Sequence, residues 1–179
     1  MDLDLARDFY FRELDGKAQQ DTRMGVYVAL FSVLGGALAF LVRAAWSPPR
    51  TLWCYLSLIA AVLSLVLYFV AIIWVLRAAI GFTYERLPSL EDILAYRQKL
   101  ASYYASNPSV PDSAAMDFDD FMTRHFASAA ARNARNNLAR SARFYRAAQL
   151  LLWVVVLAAV AALALAANRV LPAVFLKGT

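Results

Sequence analysis

Arg124, Arg132, Arg135, Arg140, Arg143 and Arg146 crowd one stretch of the chain that holds no lysine. A guanidinium is a planar fork that matches phosphate and stacks on nucleobases, so arginine without lysine suits a polyanionic ligand. Asn133, Asn136 and Asn137 lie among them and add amides able to read base edges. On a helical wheel with Arg124 at the origin, Arg135 falls near ~20°, Arg146 near ~40° and Arg132 near ~80°. His125 and Arg143 fall near ~100°, Asn136 near ~120° and Arg140 near ~160° on the same wheel. All the arginines therefore share one half, and the stripe they make is ~33 Å long at helical rise. The opposite half is Ala127, Ala130, Ala131, Ala134, Leu138 and Tyr145, flanked by Phe126 and Phe144. An alanine face lets another helix approach closely, which leaves the arginine face to solvent, lipid or ligand.

Three readings of the stripe stay open. It is a solvated face that also meets anionic head groups near a membrane, a surface for a nucleotide or oligonucleotide, or a dock for an acidic protein. If a ligand binds, the expected contacts are Arg124, His125, Arg132, Asn133, Arg135, Asn136 and Arg140. Catalysis has little to stand on. His125 is the only histidine and has no evident nucleophile or metal-ligand partner in the sequence. No glycine-rich phosphate loop, HExxH or serine elbow occurs. Asp117, Asp119 and Asp120 suit the first turn of a helix, where acids favour the macrodipole. Neither enzyme activity nor a metal or cofactor is expected.

The elements that position this stripe are set by hydropathy. The chain has 179 residues, 61% of them hydrophobic, with mean hydropathy +0.51. Three uncharged runs stand out: residues 24–42, 51–76 and 147–168. Each reaches the ~18–20 residues a helix needs to cross ~30 Å of hydrocarbon. Unbroken runs of this length are helices, not alternating barrel strands. A segment rich in Asp and Glu precedes the first run, unlike a signal peptide. The single Cys54 allows no intramolecular disulfide. Fourteen of the eighteen Lys and Arg lie before the first run or between the second and third. By the positive-inside rule those segments are cytoplasmic and the tail is outside.

The expected fold is thus all-α: an integral membrane protein with three transmembrane helices, amino terminus in, and a cytoplasmic helical bundle. Its segments are a cytoplasmic helix at 1–23, a two-span hairpin at 24–77, a cytoplasmic helical region at 78–146, a third span at 147–169 and an extracytoplasmic tail at 170–179. Gly16 offers a break or bend before the first span, and Trp46-Ser47-Pro48-Pro49 a tight turn after it. The second span is expected to continue past Arg77 toward Tyr84. Ser89 with Asp92 reads as a helix N-cap, and that helix, with Ile93, Leu100 and Tyr104 on its apolar face, ends at Asn107-Pro108. NPSVPDS is a loop. From about Asp117 no Gly or Pro occurs until Pro172, so one long helix should run from the basic stretch through the last span.

Ser32 and Gly36, Gly35 and Ala39, Ser57 and Ala61, and Ala60 and Ser64 are small pairs one turn apart, a spacing that lets membrane helices pack closely. Ser32, Gly35, Gly36, Ser57 and Ser64 are accordingly expected at helix contacts within the chain or around a pore between copies. No ionisable group lies mid-span, which argues against a proton-coupled transporter.

The segment FDDFMTRHFASAAARNARNNLARSARFYRAAQLLLW, Phe118 to Trp153, and the order of helix, two spans, cytoplasmic helices and basic helix entering a last span, resemble small membrane effectors of bacterial anti-phage defence. These include SLATT-type proteins and the membrane protein of the Hailong system. The resemblance implies an oligomeric channel in the bacterial inner membrane, controlled by a nucleotide or oligonucleotide, single-stranded DNA included. It implies no particular ligand residues. The competing expectation is a non-channel membrane scaffold whose basic helix meets anionic lipid or an acidic protein.

Overall fold

The computed structural model describes residues 2–46, 51–106 and 113–175. Among them are four helices: α1 (Leu3–Ala45), α2 (Leu52–Ala79), α3 (Leu90–Ala105) and α4 (Ser113–Phe175). α1, α2 and α4 are each long and apolar enough to cross a membrane. The 28 residues of α2 alone span ~42 Å at helical rise, more than the hydrocarbon thickness. Ser47, Pro48, Pro49, all of NPSVPDS before its final Ser and the last four residues of the tail lie outside the described residues.

The chain divides into two compact units, one of Met1–Gln20 with Phe82–Ala139 and one of Asp21–Gly81 with Arg140–Thr179. In the second, one line of covered positions along each helix follows an alternating three-four spacing. They are 24, 27, 31, 34, 38, 41 and 45 on α1, and 54, 57, 61, 64, 68, 71, 75 and 78 on α2. On α4 they are 140, 144, 147, 151, 154, 158 and 161. This repeat of about 3.5 residues is the seam of helices that pack side by side in a shallow left-handed coil. Phe31, Ala71, Val75, Ala78, Phe144, Ala147 and Leu151 form its largest apolar cluster. Large apolar side chains such as Val33, Phe40, Ile59, Leu63 and Leu163 face outward. That surface is too apolar for water and suited to lipid. Two hydroxyls go inside, where Ser57 donates to the Ala161 carbonyl and Ser64 to that of Val154.

The first unit has a different interior. Ala6 and Tyr10 of α1 meet Met122, Phe126, Ala129 and Ala130 of α4, with Leu87 and Ile93 packed against them. Tyr10 and Phe126 meet edge to face, their centroids 5.6 Å apart. On α3, Ile93, Tyr96, Leu100 and Tyr104 are the half-buried positions, a helical stripe among exposed neighbours.

Local signals explain the helix ends. Thr51 is extended and its hydroxyl accepts from the Cys54 N–H, capping α2. Ser89 does the same for α3, accepting from Asp92 N–H at 3.1 Å. α2 does not continue toward Tyr84. Ile80 leaves helical geometry and Gly81 has φ +92, a left-handed conformation that glycine adopts without strain. Residues 82–88 are then non-helical. Gly16 does not interrupt α1, since its missing Cβ makes room for the Asn137 amide 3.1 Å from where that atom would be. α4 begins at Ser113, ahead of the acids at 117–120.

Candidate functional site

The three asparagines of α4 do not share one role. Asn133 is fully buried, and its amide pairs twice with the backbone of Glu85. Its Oδ1 accepts the Glu85 N–H at 2.9 Å and its Nδ2 donates to the Glu85 carbonyl at 3.2 Å. Asn136 Nδ2 donates to the Thr83 carbonyl at 2.9 Å. Asn137 accepts from the Tyr84 hydroxyl at 2.6 Å and donates to both the carbonyl and Oε2 of Glu13 at 2.8 Å. Its own carbonyl accepts from Gln20 Nε2. An extended segment has backbone groups that no helix satisfies, and each needs a partner when covered. Asparagines supply such partners to the Thr83 carbonyl and to both backbone groups of Glu85, the latter as a neighbouring strand would. Asn is a weak helix former because its amide seeks backbone. Three within one helical stretch were the signal in the sequence. The segment they hold carried none.

The basic face is next to this clamp. Arg132 Nε lies 3.1 Å from Glu85 Oε2, an ion pair whose geometry is not aligned as a hydrogen bond. Arg124 pairs with Asp120 one turn before it, and that carboxylate raises the guanidinium pKa further. Both arginine side chains remain largely exposed. Arg135 is exposed and turns its Nε to the Ala131 carbonyl of its own helix. His125 is half-buried, edge-on to Phe121 at 4.3 Å, and Phe121 in turn lies against Tyr96 of α3. The Arg124–Asp120 pair is exposed and contributes only about 0–1 kcal/mol, so an anionic ligand can displace it at little cost, whereas the Glu85 oxygen facing Arg132 is itself buried.

Arg140 has another environment. It is 3% exposed, donates to the Ala78 carbonyl at 3.0 Å and meets Asp21 at 2.8 Å. Of the residues expected at a ligand surface, Arg124, Arg132 and Arg135 present guanidiniums outward. Asn133 and Arg140 are interior, and Asn136 is half-buried on Thr83. The wheel also misplaces the covered face. Leu138 and Tyr145 are 74% and 65% exposed, while the buried line runs through Phe126, Ala130, Asn133, Asn137, Arg140 and Phe144.

Of the small residues, Ser57 and Ser64 are buried on α4 carbonyls, and Gly35 lies under the Tyr68 ring. Gly36 is open, and the exposed Ser32 bonds back to Val28 of its own helix. Among the described residues no three His, Cys, Asp or Glu side chains are grouped to hold a metal ion. Comparison with protein-family models, with curated proteins and with solved structures finds no match.

Proposed function

We propose that the chain is a homo-oligomeric, channel-like membrane effector gated by an anionic ligand, a nucleotide or oligonucleotide, held by Arg124, Arg132 and Arg135. In this reading the amino terminus and the 78–146 region are cytoplasmic, as the distribution of Lys and Arg favours. The observation that carries it is the double hold on Glu85. Arg132 meets its carboxylate, and the adjacent Asn133 holds its backbone. A phosphate that takes Arg132 from Glu85 acts on the segment that begins where α2 ends. Ligand shifts the equilibrium only through unequal affinity for the two states, and the Arg132–Glu85 pair is where that inequality arises. Placement in a bacterial inner membrane and in anti-phage defence rests on the resemblance of Phe118–Trp153 and of the order of spans and helices.

A second reading is favoured by Ser57 and Ser64. Both hydroxyls face into the second unit and are bonded to α4, so neither lines a water path there. A membrane scaffold needs no such path. A pore between copies would be lined by apolar side chains and would gate by dewetting.

Ion flux from liposomes holding the purified protein separates the two, with nucleotides and single-stranded DNA added in turn. Flux that a ligand alters supports the effector, and a discrete oligomer that conducts under no condition supports the scaffold. R132E with R135E should weaken nucleotide binding more than tenfold, since hydrogen bonds to charged groups contribute about 1.5–3 kcal/mol each. Unchanged binding rejects the ligand face.

A further inference from the structure

The second unit holds a groove of about 480 Å³ with both apolar and polar walls. Trp74 of α2 and Leu150, Leu152 and Trp153 of α4 form its apolar walls, and Arg146 and Gln149 are its polar members. The Arg146 guanidinium lies 4.8 Å above the Trp74 ring. It is exposed and has no carboxylate partner among the described residues. One turn away, Arg143 donates to the Arg77 carbonyl, and Arg77 is exposed as well. Arg146 directly precedes the last uncharged run, and Arg77 directly follows the second. Cation, aromatic pair and apolar wall therefore meet where two membrane-crossing helices leave the hydrocarbon.

We propose that this groove binds an anionic phospholipid, with the phosphate on Arg146 and Gln149 and an acyl chain along Leu150, Leu152 and Trp153. A guanidinium over an indole face still has N–H groups to offer a phosphodiester, which its fork matches better than a point charge does. Tryptophans at this level are anchored with an apolar body in the acyl region and a polar edge toward the head groups. An unpaired cation in a membrane interface draws anionic lipid, worth about fivefold in affinity for each arginine. The chemistry of the groove selects its occupant: a free anion has no use for the apolar wall, and a zwitterionic lipid gains less from the arginine. The site rests on the three apolar helices lying in a bilayer and is independent of the channel reading.

The test is native mass spectrometry of the delipidated protein, titrated with phosphatidylglycerol and phosphatidylcholine of the same acyl chains. The wild type should carry phosphatidylglycerol about fivefold in preference. R146Q should fall to near parity while R146K keeps a preference. Equal binding of the two lipids by the wild type, or an unchanged preference in R146Q, overturns the site. Inorganic phosphate that displaces the lipid at matched concentration marks a free-anion site and overturns it too. So does a lipid-free dimer that R146Q dissociates, since a second copy then fills the groove. Should R146Q lose helicity, quenching of wild-type tryptophan by brominated phosphatidylglycerol replaces it. Stronger quenching than by brominated phosphatidylcholine supports the site, and equal quenching overturns it. A protein that selects phosphatidylglycerol yet conducts under no condition keeps the lipid site and loses the channel.

Discussion

Polar side chains reach across to backbone in both units, but the backbone that receives them differs. Ser57 and Ser64 donate to carbonyls in the middle of α4, which a helix already bonds four residues on. Asn133, Asn136 and Asn137 reach residues 83–85 or Glu13, and at Thr83 and Glu85 no helix supplies a partner. The serine bonds supplement a ladder, and the asparagine bonds replace one. The same kind of contact therefore has a different weight in each unit.

Asn133→Ala tests this most directly. It leaves the N–H and the carbonyl of Glu85 without their partner, and each unsatisfied buried group costs about 1–3 kcal/mol. A loss of about 2–3 kcal/mol is expected, read by thermal or chemical unfolding in detergent. Hydrogen exchange at residues 83–86 should rise with it. Asn136→Ala gives up one exposed bond and should cost about 0.5 kcal/mol. If exchange at Glu85 is no faster in the Asn133 variant, the clamp is not what orders the segment.

Two adjacent glycines sharpen the contrast from the membrane side. A Cβ on Gly35 would stand 2.7 Å from the Tyr68 hydroxyl, which itself donates to the Phe31 carbonyl at 2.9 Å. Gly35→Ala must push that hydroxyl away, at an expected cost of about 1–2 kcal/mol. Nothing lies within 4 Å of a Cβ on Gly36. Gly36→Ala should be neutral or stabilising by up to about 0.8–1 kcal/mol through helix propensity. Equal effects at the two positions would mean that the Tyr68 contact is not held. Ser57→Ala and Ser64→Ala should be weaker still, about 0.6 kcal/mol each, the mean for such bonds between membrane helices. A loss near that of Asn133→Ala would erase the distinction between the units.

Much of the helical plan is legible in the residues. Three charge-free runs mark α1, α2 and α4, and Ser89 with Asp92 marks the start of α3. The lack of Gly and Pro between Asp117 and Pro172 marks the body of α4, which begins earlier at Ser113 and runs past Pro172 to Phe175. Which face of α4 is covered is not legible. An alanine-rich half looks like the packed one, yet Leu138 and Tyr145 stand exposed while Asn133 and Arg140 are inside. Hydropathy ranks side chains by their own transfer from water, whereas here Arg140 is drawn in by the Ala78 carbonyl and Asp21, and Asn133 by the unmet backbone of Glu85. That need belongs to a segment whose sequence, Phe82-Thr83-Tyr84-Glu85, carries no Pro or Gly of its own to announce it. The end of α2 is similarly hidden, since only Gly81 distinguishes a helix stop from a helix that continues. Arg124, Arg132 and Arg135 were readable as a face, and the Glu85 partner of Arg132 was not.

The smallest effect concerns the join between α3 and α4. The Tyr104 hydroxyl donates to Asp117 Oδ2. That hydrogen bond, and then the carboxylate's charge beside the phenol, raise the Tyr104 pKa above its ordinary value. A raised folded-state pKa favours the protonated phenol, so the contact's contribution is complete below the unfolded pKa of about 10. It is lost as pH climbs through the higher folded value. In ultraviolet titration of tyrosinate Tyr104 should thus ionise late, and Asp117→Asn should bring it back toward the ordinary value. Both side chains are open to solvent, so global stability at neutral pH should barely change. A titration curve that Asp117→Asn leaves unmoved would mean that α3 is held to α4 by Tyr96 on Phe121 and the half-buried Ile93 and Leu100, without help from this bond.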